Sequence, residues 1–242
     1  MFSAVCAALV IAGILLAAEY LQYRKVLSGE FVRKFAHIGS GTFIAFLPFW
    51  MAYRWIAVLA VGFIVVNVFN HYFSKLSVHA KRINNNHIRL VIGAVMVASG
   101  SHAINSVKRR TWGDVLFGLA VLACALVRPH PWIFAAAILH VALADGFAAI
   151  AGVAIGKHHG YHYKVFGATK TFIGTWTFIL VSFVILSVVL LVDPGFVSPT
   201  DLWPLLIWTP PLLAVIENIG IYGLDNFLLP VATLAMLQAL MI

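Results

Sequence analysis

The chain has 242 residues, 62% of them hydrophobic and only 10% charged, with a mean hydropathy of +0.99. Soluble domains carry about 25% charged residues, so this composition excludes a soluble globular fold and predicts one all-α domain, 1–242, built as a polytopic membrane bundle of about eight transmembrane helices. The formal charge of +8 comes from 16 Lys and Arg against 8 Asp and Glu; these basic residues cluster between apolar runs, a pattern of membrane orientation and not of nucleic-acid binding.

About 20 mainly apolar residues cross a bilayer as a helix, which predicts spans at 2–23, 38–53, 55–73, 113–127, 132–152, 172–192, 203–216 and 226–242. The first lacks a preceding basic region and a small-residue cleavage site, so it is expected to be a retained helix, not a signal peptide. The run Leu90–Ala98 is too short to span and suits an interfacial or re-entrant segment. The seventh span carries Pro204, Pro210 and Pro211 and is expected to kink or break. Cys6 and Cys124 each lie in an apolar run, against a disulfide framework or a thiolate metal site.

With the N-terminus outside, all the basic residues except Arg54 and Arg128 fall on the inner side, the excess that sets orientation in a bilayer. A ninth span at 90–106 would destroy that asymmetry. The eight-span topology has a consequence that composition does not require: Glu30–Gly41, Asp145–Thr175 and Glu217–Asn226 all come to the same membrane face.

In the first of these segments, Glu30, Arg33, Lys34 and His37 recur at helical spacings of three and four and share one helix face. Cations so placed hold phosphates or anchor the helix at the inner surface. In the fifth span, Asp145 is a carboxylate among Ala and Phe, which requires a cation: magnesium, or a nearby Lys or Arg. Gly152 and Gly156 form a small-xxx-small pair suited to helix packing. The loop after them holds His158, His159 and His162, but no thiolate or carboxylate accompanies them and no zinc spacing is matched, so they read as solvated. Lys170, Thr171, Gly174 and Thr175 open the sixth span, where a helix N-terminus favours anions. Glu217-Asn218 and Asp225-Asn226 bracket a turn, with Asp225 or Asn226 placed to cap the last helix.

In this order the segments resemble the family of CTP-dependent polyprenol and phytol kinases, which includes dolichol kinase and looks related to phosphatidate cytidylyltransferases. The resemblance rests on Glu30, Arg33, Lys34, His37 and Gly41; on Asp145, Ala148, Gly152 and Gly156; on Lys170, Thr171, Gly174 and Thr175; and on Glu217, Asp225-Asn226 and Pro230, with Arg110–Asp114 as the polar entry to a middle helix. It covers most of the chain from residue 30 onward, with Val153 where the family often has a basic residue and with Lys75–Val107 unmatched.

The resemblance implies transfer of a terminal phosphoryl group from CTP to an isoprenoid or related lipid alcohol, in a cell (inner) membrane. It implies Mg2+ as cofactor, held by Asp145 with Asp225 or Asn226. Arg33, Lys34, Lys157, Lys170, Thr171, Gly174 and Thr175 are then the groups on nucleotide and phosphate, and His37 or Asp145 accepts the hydroxyl proton. Two alternatives remain: a cytidylyltransferase, which would release pyrophosphate, and an ion-coupled transporter, against which the lack of an internal repeat counts.

Overall fold

The computed structural model describes residues 2–27, 30–80, 112–156, 161–193, 195 and 197–239. Lys157, the first two loop histidines and the Leu90–Ala98 run lie outside them. Among the described residues the chain folds as an all-α membrane bundle. The helices are α1 (Phe2–Tyr23), α2 (Glu30–Ala45), α3 (Tyr53–Ala80), α4 (Gly113–Val127), α5 (Pro131–Leu139 continuing through His140–Ala144 and Asp145–Ala151 to Gly152–Gly156), α6 (Phe172–Val192), α7 (Pro199–Ile219) and α8 (Asp225–Ala239). Among the described residues four stretches are long and apolar enough to cross a membrane: Phe2–Tyr23, Pro131–Ile155, Phe172–Val192 and Thr200–Ile219; Tyr53–Phe69 and Gly113–Val127 are shorter apolar helices.

Local chemistry explains the ends. Pro131 and Pro199 stand at the first turn of α5 and α7, where a missing N–H costs nothing. Ser198 caps α7 by accepting from Asp201 N at 3.2 Å and returns a hydrogen bond to the Asp201 carboxylate at 2.7 Å. Arg128 ends α4 in a left-handed conformation. The expected break in α7 does not occur: the helix runs continuously through its three prolines. The second helix also differs from the predicted 38–53. It begins at Glu30, stops at Ala45 and gives way to a short turn of 3₁₀ helix at Leu47–Phe49, because the charged residues that depress its hydropathy are accommodated inside the bundle.

Helix α5 is the centre. Its spanning window is 78% buried against 17% for α1, and it packs on α2, α6 and α8 while α1 lies at the edge against α2. Small residues set the α2–α5 distance: a Cβ at Gly41 would stand 2.6 Å from Ala142 Cβ, and one at Gly146 would stand 2.5 Å from the Ile38 side chain. His140, fully buried, bonds Ala136 O at 2.6 Å and Ser182 of α6 at 2.8 Å, a satisfied polar link between two helices. The apolar faces of α1, α6 and α7 remain exposed, Trp176, Trp203 and Trp208 among them, as lipid contact requires.

The connection between α5 and α6, expected to be a loop, contains a hairpin. Strands β1 (His162–Val165) and β2 (Ala168–Thr171) pair antiparallel, with Tyr163 opposite Lys170. The turn is made by Phe166 and Gly167, both at positive φ, 46° and 83°, the geometry that matches strand twist in a two-residue hairpin.

Candidate active site

Five elements bring their polar residues to one end of the bundle. Lys34 of α2 is buried and donates to Asp145 Oδ2 of α5 at 2.6 Å, and both side chains are nearly inaccessible. An unpaired carboxylate at this depth would be costly, and a charge-assisted hydrogen bond removes most of the penalty. The cation that Asp145 requires is therefore Lys34 in this structure. Lys170 forms a second ion pair with Glu217 of α7 and also reaches the Glu217 carbonyl at 3.3 Å. Asp225 completes the group: carboxylate oxygens of Asp145, Glu217 and Asp225 all lie within 4.8 Å of one another.

The backbone around Asp145 is not a regular α-helix. The turns His140–Ala144 and Gly152–Gly156 are π-helical, and the Asp145 N–H reaches back five residues to His140 O. Such widened turns recur at functional sites because they re-aim side chains. Here the first presents the Val141 carbonyl to His37, whose Nε2 donates to it at 3.1 Å. That bond leaves Nδ1 as the lone-pair nitrogen of the neutral ring. The ring also meets Phe117 of α4 edge-on at 5.1 Å. Arg33 is half-buried one turn before His37, close enough for its charge to act on both His37 and Asp114.

Lys170 and Thr171 sit on β2, not in the first turn of α6. Thr171 is the residue that starts that helix: its hydroxyl accepts from Gly174 N at 3.0 Å. Gly174 is buried, and a Cβ there would stand 3.0 Å from Ala148 O, so glycine lets α6 begin this close to α5 without displacing its backbone. Thr175 hydrogen-bonds the Tyr163 hydroxyl. Asn226 is buried, and its backbone N–H donates to Asp225 Oδ1 at 3.0 Å.

Three carboxylates face two ammonium groups, a formal charge of −1. Burial alone would pull the Lys170 ammonium down, but the Glu217 carboxylate beside it, helped by Asp225 and Asp145, holds it above the usual lysine range. Asp225 also moves up, which for a carboxyl favours the neutral form: burial, then the charge of Asp145, pushes it up to about 7 despite both lysines. An all-oxygen donor set with excess negative charge is what a hard divalent cation such as Mg2+ accepts, so the residues present fit that ion. Asp145 and Asp225 are the acids expected in such a site from the sequence, and the structure adds Glu217 to them. Its signal was an acid in an otherwise apolar helix. Tyr163 gave none beyond its place among the loop histidines.

No protein-family model matches the chain, and no solved structure matches it. Over 232 residues, 94% of this chain and 86% of the relative, it is 28% identical to the phytol kinase of Synechocystis sp..

Proposed function

We propose that this chain is a membrane kinase that transfers the terminal phosphoryl group of CTP to an isoprenoid or related lipid alcohol. The observation that carries the proposal is the largely buried meeting of Asp145, Glu217 and the half-buried Asp225 with Lys34 and Lys170, contributed by five separate elements at one end of the bundle. Phosphoryl transfer asks a protein for positioning and charge neutralisation more than for covalent chemistry, and this cluster supplies both signs of charge at once. The similarity to a phytol kinase over most of the chain supports an isoprenoid alcohol as acceptor.

In this reading Asp145 and Asp225, with Glu217 and Asn226 beside them, are the residues that would hold Mg2+. That ion, when bound, would offset triphosphate charge. Lys34 and Lys170 give up their carboxylates and turn to phosphate oxygens, with Arg33 adding a third cation and Lys157 a fourth. Thr171 keeps a hydroxyl proton to donate to phosphate, since its oxygen only accepts from Gly174. The alcohol oxygen forms a bond to the terminal phosphorus as the bond from that phosphorus to the bridging oxygen breaks, and CDP leaves. The hydroxyl proton passes to His37 through Nδ1. Eight crossings with the N-terminus outside would set this end on the inner face of a cell membrane, where the nucleotide is available.

The test is incubation of the purified protein in nanodiscs with terminally labelled CTP, Mg2+ and a panel of lipid alcohols. Labelled lipid phosphate and CDP are expected, with Asp145→Asn and Lys170→Ala each losing most of the transfer while remaining inserted. Wild-type rates in both variants refute the site. Pyrophosphate with a CDP-lipid product would make the chain a cytidylyltransferase, and substrate movement without nucleotide turnover would make it a transporter.

A further inference from the structure

Tyr163 stands opposite Lys170 on the hairpin, and its hydroxyl reaches two further elements. It donates to Asn218 Oδ1 of α7 at 2.7 Å and meets Thr175 Oγ1 of α6. The direction of these bonds is fixed by Asn218, whose Nδ2 donates to Ala214 O at 2.8 Å and so turns its oxygen towards Tyr163. Tyr163 has one proton and gives it to Asn218, so the proton of its contact with Thr175 comes from Thr175, which shares it with the Thr171 carbonyl at 3.3 Å. Thr175 thus has lone pairs but no proton to offer a phosphate, which separates it from Thr171.

We infer that Tyr163 is a positioning residue: the fixed anchor that holds the hairpin on the last turn of α7 while Lys170 exchanges Glu217 for a phosphate. The exchange itself rests on the kinase reading. The hairpin is joined to α7 at neighbouring residues, by Lys170 at Glu217 and by Tyr163 at Asn218. A lone two-stranded hairpin is marginal in water. If the ion pair were its sole attachment, releasing Lys170 towards a ligand would also release the strand that aims it. The tyrosine removes that conflict, because its bonds involve neither the ammonium nor the carboxylate. The Phe172 ring, 5.0 Å from that of Tyr163, supports it from the start of α6.

Two measurements test this, the first independent of any reaction. The rate of Lys170 acylation by an amine-reactive ester, followed by mass spectrometry, is compared in wild type, Tyr163→Phe and Glu217→Gln, with the buried Cys124 thiol as a reporter of the whole bundle. Loss of the two neutral hydrogen bonds of its hydroxyl, each at the low end of the usual range, predicts about fivefold faster labelling in Tyr163→Phe, with Cys124 still protected and Glu217→Gln faster again. An unchanged Lys170 rate, or simultaneous exposure of Cys124, overturns the inference. The second is steady-state phosphoryl transfer: Tyr163→Phe should raise the KM for the nucleotide about fivefold, leave that for the alcohol unchanged, and add nothing in a Lys170→Ala background. A defect in alcohol KM alone, or one that persists undiminished without Lys170, overturns it. Absence of transfer in the wild type would remove the kinase reading and leave the labelling result to decide the anchor.

Discussion

Replacing Lys34 by methionine removes one member of a pair in which both side chains are below a tenth exposed and the donor lies 2.6 Å from its acceptor. The alkyl stem is kept, so packing changes little. Charge changes more: the cluster goes from three carboxylates against two ammonium groups to three against one. Taking one partner from a buried pair costs about 3–5 kcal/mol, because the remaining charge is stranded, whereas replacing both by apolar groups of similar volume is often neutral. Lys34→Met should therefore lose about 3–5 kcal/mol, and Lys34→Met/Asp145→Leu should recover most of it. The assay is detergent unfolding of the purified protein with EDTA present, followed through the fluorescence of its 7 tryptophans. A single variant within about 1 kcal/mol of wild type, or a double variant as damaged as the sum of its singles, would refute the claim that Lys34 is what makes Asp145 tolerable.

Asp225 gives a prediction in pH. Its native value near 7 lies above the ordinary 3.8, so the folded protein holds more protons than the unfolded chain between those limits. Stability from this group is complete below about pH 4 and is lost as pH rises to 7. Asp225→Asn, which cannot ionise, should then raise the melting temperature in EDTA at pH 8 and change it little at pH 4; the same shift at both values would contradict this. Gly220→Ala tests the turn before α8. A Cβ there would lie 2.6 Å from Asp225 N, so the backbone carrying the carboxylate must move. A loss of about 1–3 kcal/mol is expected from the overpacking, together with weaker Mn2+ binding by electron paramagnetic resonance. Unaltered Mn2+ affinity would show that Asp225 is not a ligand.

Much of this architecture was legible because hydropathy reports burial in apolar surroundings directly. The fourth and sixth spans, 113–127 and 172–192, coincide with α4 and α6 end to end, and the three polar segments do meet, as the eight-span topology required. Hydropathy failed where charge is buried by pairing. Lys34 drags down the score of α2, yet its partner sits 111 residues away in α5, and no local window contains both. Glu217 and Lys170, 47 residues apart, were hidden for the same reason. The hairpin lacked the Asn-Gly or Asp-Gly signal of a tight turn, having Phe166-Gly167 instead. The prolines of α7 misled in the opposite direction, since their effect depends on neighbours that satisfy the freed carbonyls.

The two π turns of α5 also have a consequence for how that helix keeps phase. Each admits one residue beyond the regular repeat, and a residue corresponds to about 100° of rotation about the axis. The widened turn winds that residue in without rotating the stretch after Asp145 against the stretch before His140, so the two stay in phase. Deleting a single residue such as Ala142 would leave a regular helix with the carboxylate still facing Lys34, but would close the turn that presents the Val141 carbonyl to His37. In this protein a surplus residue in the backbone serves a carbonyl and leaves the direction of the acid untouched.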